Sequence, residues 1–195
     1  MFRVVILAAV VFSFGLGCVV RAQDAMAGKA QEIASALDKT KYKKKDKPNF
    51  SIEIYIDVKN EPVLKGTAAE YAGEYASDDS DRCLSLSVAP NGEVTGIGRD
   101  TSPFDDARSL NFTLHDARID GAVLSAVKVY ENGETRKFQA VFVNRTVSAG
   151  KNASDIETSN ISYGLGFLEG GSPAISGVTA AGDKTWTNRV FLARQ

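Results

Sequence analysis

The sequence is poor in the residues that metal sites, disulfide frameworks and catalytic triads require. His115 is the one histidine, so a site with two histidine ligands is excluded within one chain, and any histidine-based triad must use this residue. The alternation of LNFTLHD places His115 on the outer face of a strand. Neither a Gly-x-Ser-x-Gly motif nor a phosphate-binding or dinucleotide-binding glycine motif occurs. These absences favour a protein that is not an enzyme and needs no cofactor.

Long apolar runs are also scarce, and the one that exists lies at the N-terminus. Residues 1–22 place Arg3 ahead of an apolar stretch that ends with Val20, Arg21 and Ala22, which is typical of a cleaved export signal. Cleavage near Ala22 predicts a secreted or periplasmic protein. Gly17 and Cys18 indicate an alternative, a lipoprotein anchored through Cys18.

Neither charge sign is in large excess. The chain has 23 Lys and Arg against 24 Asp and Glu, and removal of residues 1–22 leaves 21 against 24 because Arg3 and Arg21 are lost. A slightly acidic balance argues against a nucleic-acid partner. Cys83 is then the single cysteine, so no disulfide forms within the chain. A single cysteine in an exported protein indicates an intermolecular disulfide, here through Cys83 to a partner chain.

Residues 23–48 are predicted to form one short helix and a linker. Met26, Ala30, Ile33 and Leu37 recur at helical spacing between residues 24 and 40. A lysine-rich segment follows, and its like charges predict a solvated linker. The alternative is a basic arm that contacts an anionic surface. The lysines concerned are Lys39, Lys41, Lys43, Lys44, Lys45 and Lys47.

Residues 49–195 show a period of two, which predicts a single β domain. FSIEIYIDV, residues 50–58, alternates apolar and polar side chains. Eight further candidate strands lie at 71–76, 83–89, 93–98, 110–115, 122–130, 135–145, 160–168 and 185–193. Tight turns at 90–92 and 132–133 separate two pairs of them. The pattern predicts an all-β fold, an antiparallel up-and-down β-barrel of about eight strands, with a β-sandwich as the alternative.

The segment YAGEYASDDSDRCLSLSVAPNGEVTG, residues 71–96, resembles the opening hairpin of avidin-type and other calycin-like secreted barrels. The resemblance implies a barrel that binds a small molecule at its mouth. Avidin-type biotin sites use several tryptophans, whereas this chain has Trp186 alone, and its first loop is acidic. The resemblance therefore implies the fold and a ligand other than biotin.

The predicted meander brings its long loops to one end, because every second connection lies at the same end. These are the loops at 77–82, 99–109, 131–134 and 169–184. We expect a small molecule or an envelope component to bind there, through Asp78, Asp79, Asp81, Asp105, Asp106 and Trp186.

Two alternatives use the carboxylates of the same end. One is a cation site at Asp78, Asp79 and Asp81, although Cys83 falls at the fifth position of a calcium loop counted from Asp79. The other is a hydrolase or isomerase that works with paired carboxylates.

Overall fold

The computed structural model describes residues 24–47, 50–101, 109–171 and 186–195. The predicted export signal, Cys18, Asp105 and Asp106 lie outside these residues. Helix α1 covers residues 24–37, and a 3-10 turn covers Ala68–Tyr71. The strands are β1 Lys39–Lys47, β2 Phe50–Pro62, β3 Gly73–Ala76, β4 Cys83–Val88, β5 Val94–Thr101, β6 Ser109–Asp120, β7 Val123–Tyr130, β8 Thr135–Asn152, β9 Asp155–Gly171 and β10 Trp186–Arg194.

Strands β3 to β10 form a closed antiparallel ring. Each of these strands pairs with the next in sequence, and β10 pairs with β3. The full order also places β2 beside β8 and β1 beside β2. Closure removes the exposed edges that an open sheet of these strands would present. The structure thus confirms the predicted all-β antiparallel fold of about eight strands with one short N-terminal helix, and it excludes the sandwich.

The interior of the ring is filled by the inward side chains of the alternating strands. Tyr75, Leu84, Phe142 and Leu165 are each at most 1% exposed. Glycine is needed where a large ring crosses a strand: a Cβ on Gly98 would lie 2.5 Å from Phe112 Cζ. At the described positions, these large side chains occupy the middle of the ring.

Helix α1 packs on the outside of the ring. Ala34 and Leu37 are buried in a cluster with Val141 and Val143 of β8. The close approach depends on Gly166 of β9, where a Cβ would lie 2.4 Å from Leu37 Cδ1. The helix therefore covers part of the outer wall without entering the core.

The lysine-rich segment is a strand and not a linker, so the linker prediction was wrong for residues 39–47. Strand β1 pairs with β2 over its whole length, from Lys39 opposite Val58 to Lys47 opposite Phe50. The backbone hydrogen bonds of a ladder hold this strand in place and offset the repulsion among the lysines. A charge pattern alone carries no information about that partner strand.

Strand β2 continues the path of β7 along one edge of β8. Phe142 N donates to Ala122 O over 2.9 Å, and Phe142 O accepts from Val63 N over 2.8 Å. The N–H and C=O of one strand residue point to the same edge, so β2 and β7 lie on that edge and β9 lies on the other. Beyond the ring, strands β1, β2, β8 (143–152) and β9 (155–163) therefore form a four-stranded sheet, which we call the wing.

Polar contacts fix the junction between the wing, α1 and the ring. Asp38 follows the helix, and its Oδ1 accepts from Asn60 N over 2.8 Å and from Asn60 Nδ2 over 3.1 Å. Arg145 Nε donates to Asn60 Oδ1 over 2.9 Å, and its guanidinium lies 4.0 Å from the centre of the Phe191 ring. Burial lowers the pKa of Arg145 to about 10. These contacts hold the wing in one orientation.

Candidate functional site

The loop end of the ring lies where the sequence predicts it. The connections β3–β4, β5–β6, β7–β8 and β9–β10 all leave from this end, because consecutive strands are antiparallel neighbours. Arg99 Nη2 donates to Ser80 O over 2.8 Å, and Thr101 Oγ1 donates to Asp81 O over 3.2 Å. The first loop is thus tied to the end of β5.

Asp78, Asp79 and Asp81 lie exposed in a turn that satisfies its own hydrogen bonds. Asp79 Oδ1 accepts from Ser77 Oγ over 2.5 Å and from Asp81 N over 3.2 Å. These bonds lower the pKa of Asp79, the Ser77 bond most. Within the described ranges, no three His, Cys, Asp or Glu side chains are arranged to hold a metal ion.

The other residues singled out from the sequence lie apart from one another. Cys83 is half-buried at the start of β4. His115 is exposed, with Nε2 3.1 Å from Thr113 Oγ1, which agrees with its predicted outward position. Trp186 is the first residue of β10 and pairs with Gly171 at the loop end.

A cleft opens in the wall of the ring between β8 and β9, toward the loop end. The two strands pair from Val141 and Gly166 onward into the wing, but no pairing joins residues 135–140 to residues 167–171. The opening holds about 330 Å³. The residues that line it are Lys128, Tyr130, Arg136, Lys137, Phe138, Gln139, Phe167 and Leu168.

A buried ion pair lies at the base of this cleft. Lys128 Nζ on β7 is 2.7 Å from Asp100 Oδ2 on β5, and the two side chains are 6% and 7% exposed. Tyr130 Oη donates to the same carboxylate oxygen over 2.8 Å. Strand β6 separates β5 from β7, so the pair spans the interior of the ring across an intervening strand.

Three phenylalanine rings surround the Lys128 ammonium. Nζ lies 4.4 Å from the centre of Phe112, 4.4 Å from that of Phe138 and 5.1 Å from that of Phe167. The faces of aromatic rings attract cations, and the attraction is strongest where water is excluded. The charge is therefore stabilised by one carboxylate and by three rings, of which Phe138 and Phe167 also line the cleft.

The described rim of the cleft carries one ion pair and one exposed lysine. Arg136 Nε donates to Glu134 Oε1 over 2.7 Å, and this bond is the main reason that the pKa of Glu134 is lowered. Lys137, the next residue of β8, is exposed on the outer side of the strand. The cleft thus offers aromatic walls below and a positive charge at its mouth.

Neither Asp100 nor Lys128 was predicted as a site residue, although the sequence carries a signal for Lys128. In VLSAVKVY, Lys128 lies on the same face of the strand as Leu124, Ala126 and Tyr130, which point inward. A lysine at an inward position requires a partner. The partner is not deducible because Asp100 lies 28 residues away, in the non-adjacent strand β5.

The described residues that line this cleft do not include the pair of carboxylates that the hydrolase alternative requires.

No helix in the described part of the chain is long and apolar enough to cross a bilayer. No protein-family model, curated protein or solved structure matches the chain.

Proposed function

We propose that the protein is a non-enzymatic binding protein, and that the cleft between β8 and β9 takes a small amphipathic ligand with one anionic group. The observation that supports the proposal most strongly is that Lys128, which lines the opening, is buried against Asp100 and lies within 5.1 Å of three phenylalanine ring centres. A cleft of about 330 Å³ is at the lower end of the volumes of small-molecule sites.

The ion pair supports a role in binding, because a buried ion pair contributes little to the net free energy of folding. Taking a lysine and an aspartate out of water costs several kcal/mol per charge, and well-packed apolar residues often replace such pairs without loss. A polar group kept among apolar walls is a common feature of ligand sites, where it orients the bound molecule.

The lining of the cleft has an apolar region and a charged region, and each suits a different part of the ligand. Phe138, Phe167 and Leu168 offer apolar contact, and Leu168 is 41% exposed although it is apolar. Lys137 at the rim offers a charge that attracts a carboxylate, sulfonate or phosphate group. An aromatic or aliphatic acid therefore matches the cleft better than a neutral sugar or a cation.

Titration with 8-anilinonaphthalene-1-sulfonate, an aromatic anion that fluoresces in apolar sites, tests the proposal on the full chain. Lys137→Glu reverses the rim charge, which removes about 1 kcal/mol of attraction and adds about 1 kcal/mol of repulsion for unit charges a few ångströms apart in water. We therefore expect it to weaken binding about 30-fold. Lys29→Glu makes the same charge change on the exposed side of α1 and should leave the affinity unaltered.

A second matched pair tests the apolar wall. Leu168→Ser lies in the cleft, whereas Ile161→Ser removes an apolar side chain that is 72% exposed on the same strand but in the wing. We expect only Leu168→Ser to weaken binding of the dye. If either cleft variant and its control had equal effects, the dye would bind elsewhere and the proposed site would be wrong.

A further inference from the structure

The two faces of the wing differ in charge, and the register of β1 and β2 defines the difference. Residues that lie directly opposite each other in an antiparallel pair point to the same face. Lys39, Lys41, Lys43 and Lys45 lie opposite Val58, Ile56, Ile54 and Ile52 in that order. We call the face formed by these eight residues the lysine-isoleucine face.

The lysine-isoleucine face is both cationic and apolar. Its four lysines are exposed, and Ile52 and Ile54 are 44% and 42% exposed. Strand β8 extends the apolar part, since Val147 lies opposite Val58 and Ala149 opposite Ile56. The facing residues of β9, Thr158, Asn160 and Ser162, are uncharged. No acidic residue occupies this face at the described register positions.

The opposite face of the wing carries the carboxylates of Glu53 and Asp57. Lys44 Nζ lies 3.0 Å from Glu53 Oε1. Thr40 Oγ1 donates to Asp57 Oδ1 over 2.5 Å. The alternation of β2 therefore places its carboxylates on one face and its isoleucines on the other, so the lysine-isoleucine face keeps an uncompensated positive charge.

We propose that the lysine-isoleucine face docks on the surface of a bilayer that contains anionic phospholipids. Lysines near such a surface are attracted to its negative potential, while the isoleucines can enter the boundary between headgroups and acyl chains. A soluble polyanion would use the lysines but would leave the isoleucines exposed. A second copy of this chain is disfavoured, because a row of lysines on an outermost strand opposes edge-to-edge pairing.

Sedimentation with vesicles tests the lysine row. The full chain is mixed with vesicles of phosphatidylcholine and phosphatidylglycerol, and with vesicles of phosphatidylcholine alone. The ratio of the two affinities is the readout, because apolar residues near the N-terminus contribute equally to both. Lys41→Gln/Lys43→Gln should lower this ratio roughly 25-fold, about fivefold for each charge. Lys29→Gln/Lys65→Gln removes the same charge from other exposed positions and should change it little.

The isoleucine row is tested with a second matched pair of variants. Ile52→Ser/Ile54→Ser should weaken binding to anionic vesicles while leaving its dependence on salt unchanged. Ile161→Ser, on the opposite face of the wing, should have little effect.

Two results would overturn the proposal. One is equal binding to a soluble polyanion such as polyphosphate with no effect of the isoleucine changes, which would make the partner a polymer. The other is a dimer, detected by light scattering without vesicles, that Ile52→Ser/Ile54→Ser dissociates.

Discussion

Replacing Lys128 by Met removes one charge from the buried Lys128–Asp100 pair and leaves the methylene chain in place. At 2.7 Å, the attraction between the two charges is about 6 kcal/mol for an effective dielectric constant of about 20. Desolvation of both charges offsets most of this attraction. The loss on Lys128→Met therefore comes from the carboxylate that stays behind in an apolar interior.

That loss is large, because the Tyr130 hydrogen bond alone does not offset the desolvation of the Asp100 carboxylate once its cation is removed. We expect Lys128→Met to lower the free energy of unfolding by about 3 to 4 kcal/mol at pH 7, and Asp100→Asn by a similar amount. The double variant should lose only about 1 to 2 kcal/mol, because Asn still accepts from Tyr130 and no charge remains buried.

Urea unfolding of the four proteins measures the coupling between the two residues. Lys137→Met, at the exposed rim of the cleft, should lose little stability. Additive single effects below about 1 kcal/mol would refute the reasoning, since they would mean that water reaches the pair.

Two further predictions concern the outer helix and the side chains of Tyr75 and Tyr163. Leu37→Ala should lower the free energy of unfolding, measured with urea, by about 2 to 4 kcal/mol. Gly166→Ala should destabilise the Leu37→Ala variant less than the parent, because the Leu37 atom 2.4 Å from the new Cβ is then absent. Equal losses in both backgrounds would contradict the packing described. Burial raises the pKa of Tyr75 and Tyr163 above the ordinary value of 10.0. The stability that these groups contribute is therefore complete below about pH 10 and is lost as the pH rises further. The loss is about 1.4 kcal/mol per pH unit for each group until its folded-state pKa is reached. Tyr163→Phe should make the alkaline loss less steep, and an unchanged slope would contradict this account.

The strands were predictable because alternation is a local property. Phe50 to Val58 alternate with polar residues, and β2 covers Phe50–Pro62. The turns at Gly92 and Gly133 have φ of 85° and 82°, as the glycines predict. The extra lengths of β8 and β9 were not predictable, since their outer halves pair in a wing whose other strands, β1 and β2, are distant in sequence.

Charged segments were harder to interpret, because charge alone indicates neither a partner nor a face. The lysines of residues 39–47 predict a linker, but β2 supplies a ladder that orders them. Asp78, Asp79 and Asp81 attract attention as a cluster, yet the turn uses Asp79 for local hydrogen bonds. Lys128 stands alone in an apolar strand, and its significance depends on an aspartate two strands away.

Period-two alternation, glycine turns and the short helical stripe specify an antiparallel β protein with one helix, because each depends on neighbours a few residues apart. The closure of the ring, the place of β2 beside β8, the pairing of Lys128 with Asp100 and the separation of lysines from acids on the wing depend on contacts between distant segments. Those contacts arise only when the strands close into a ring and take their registers. The candidate cleft and the lysine-isoleucine face are therefore properties of the folded chain.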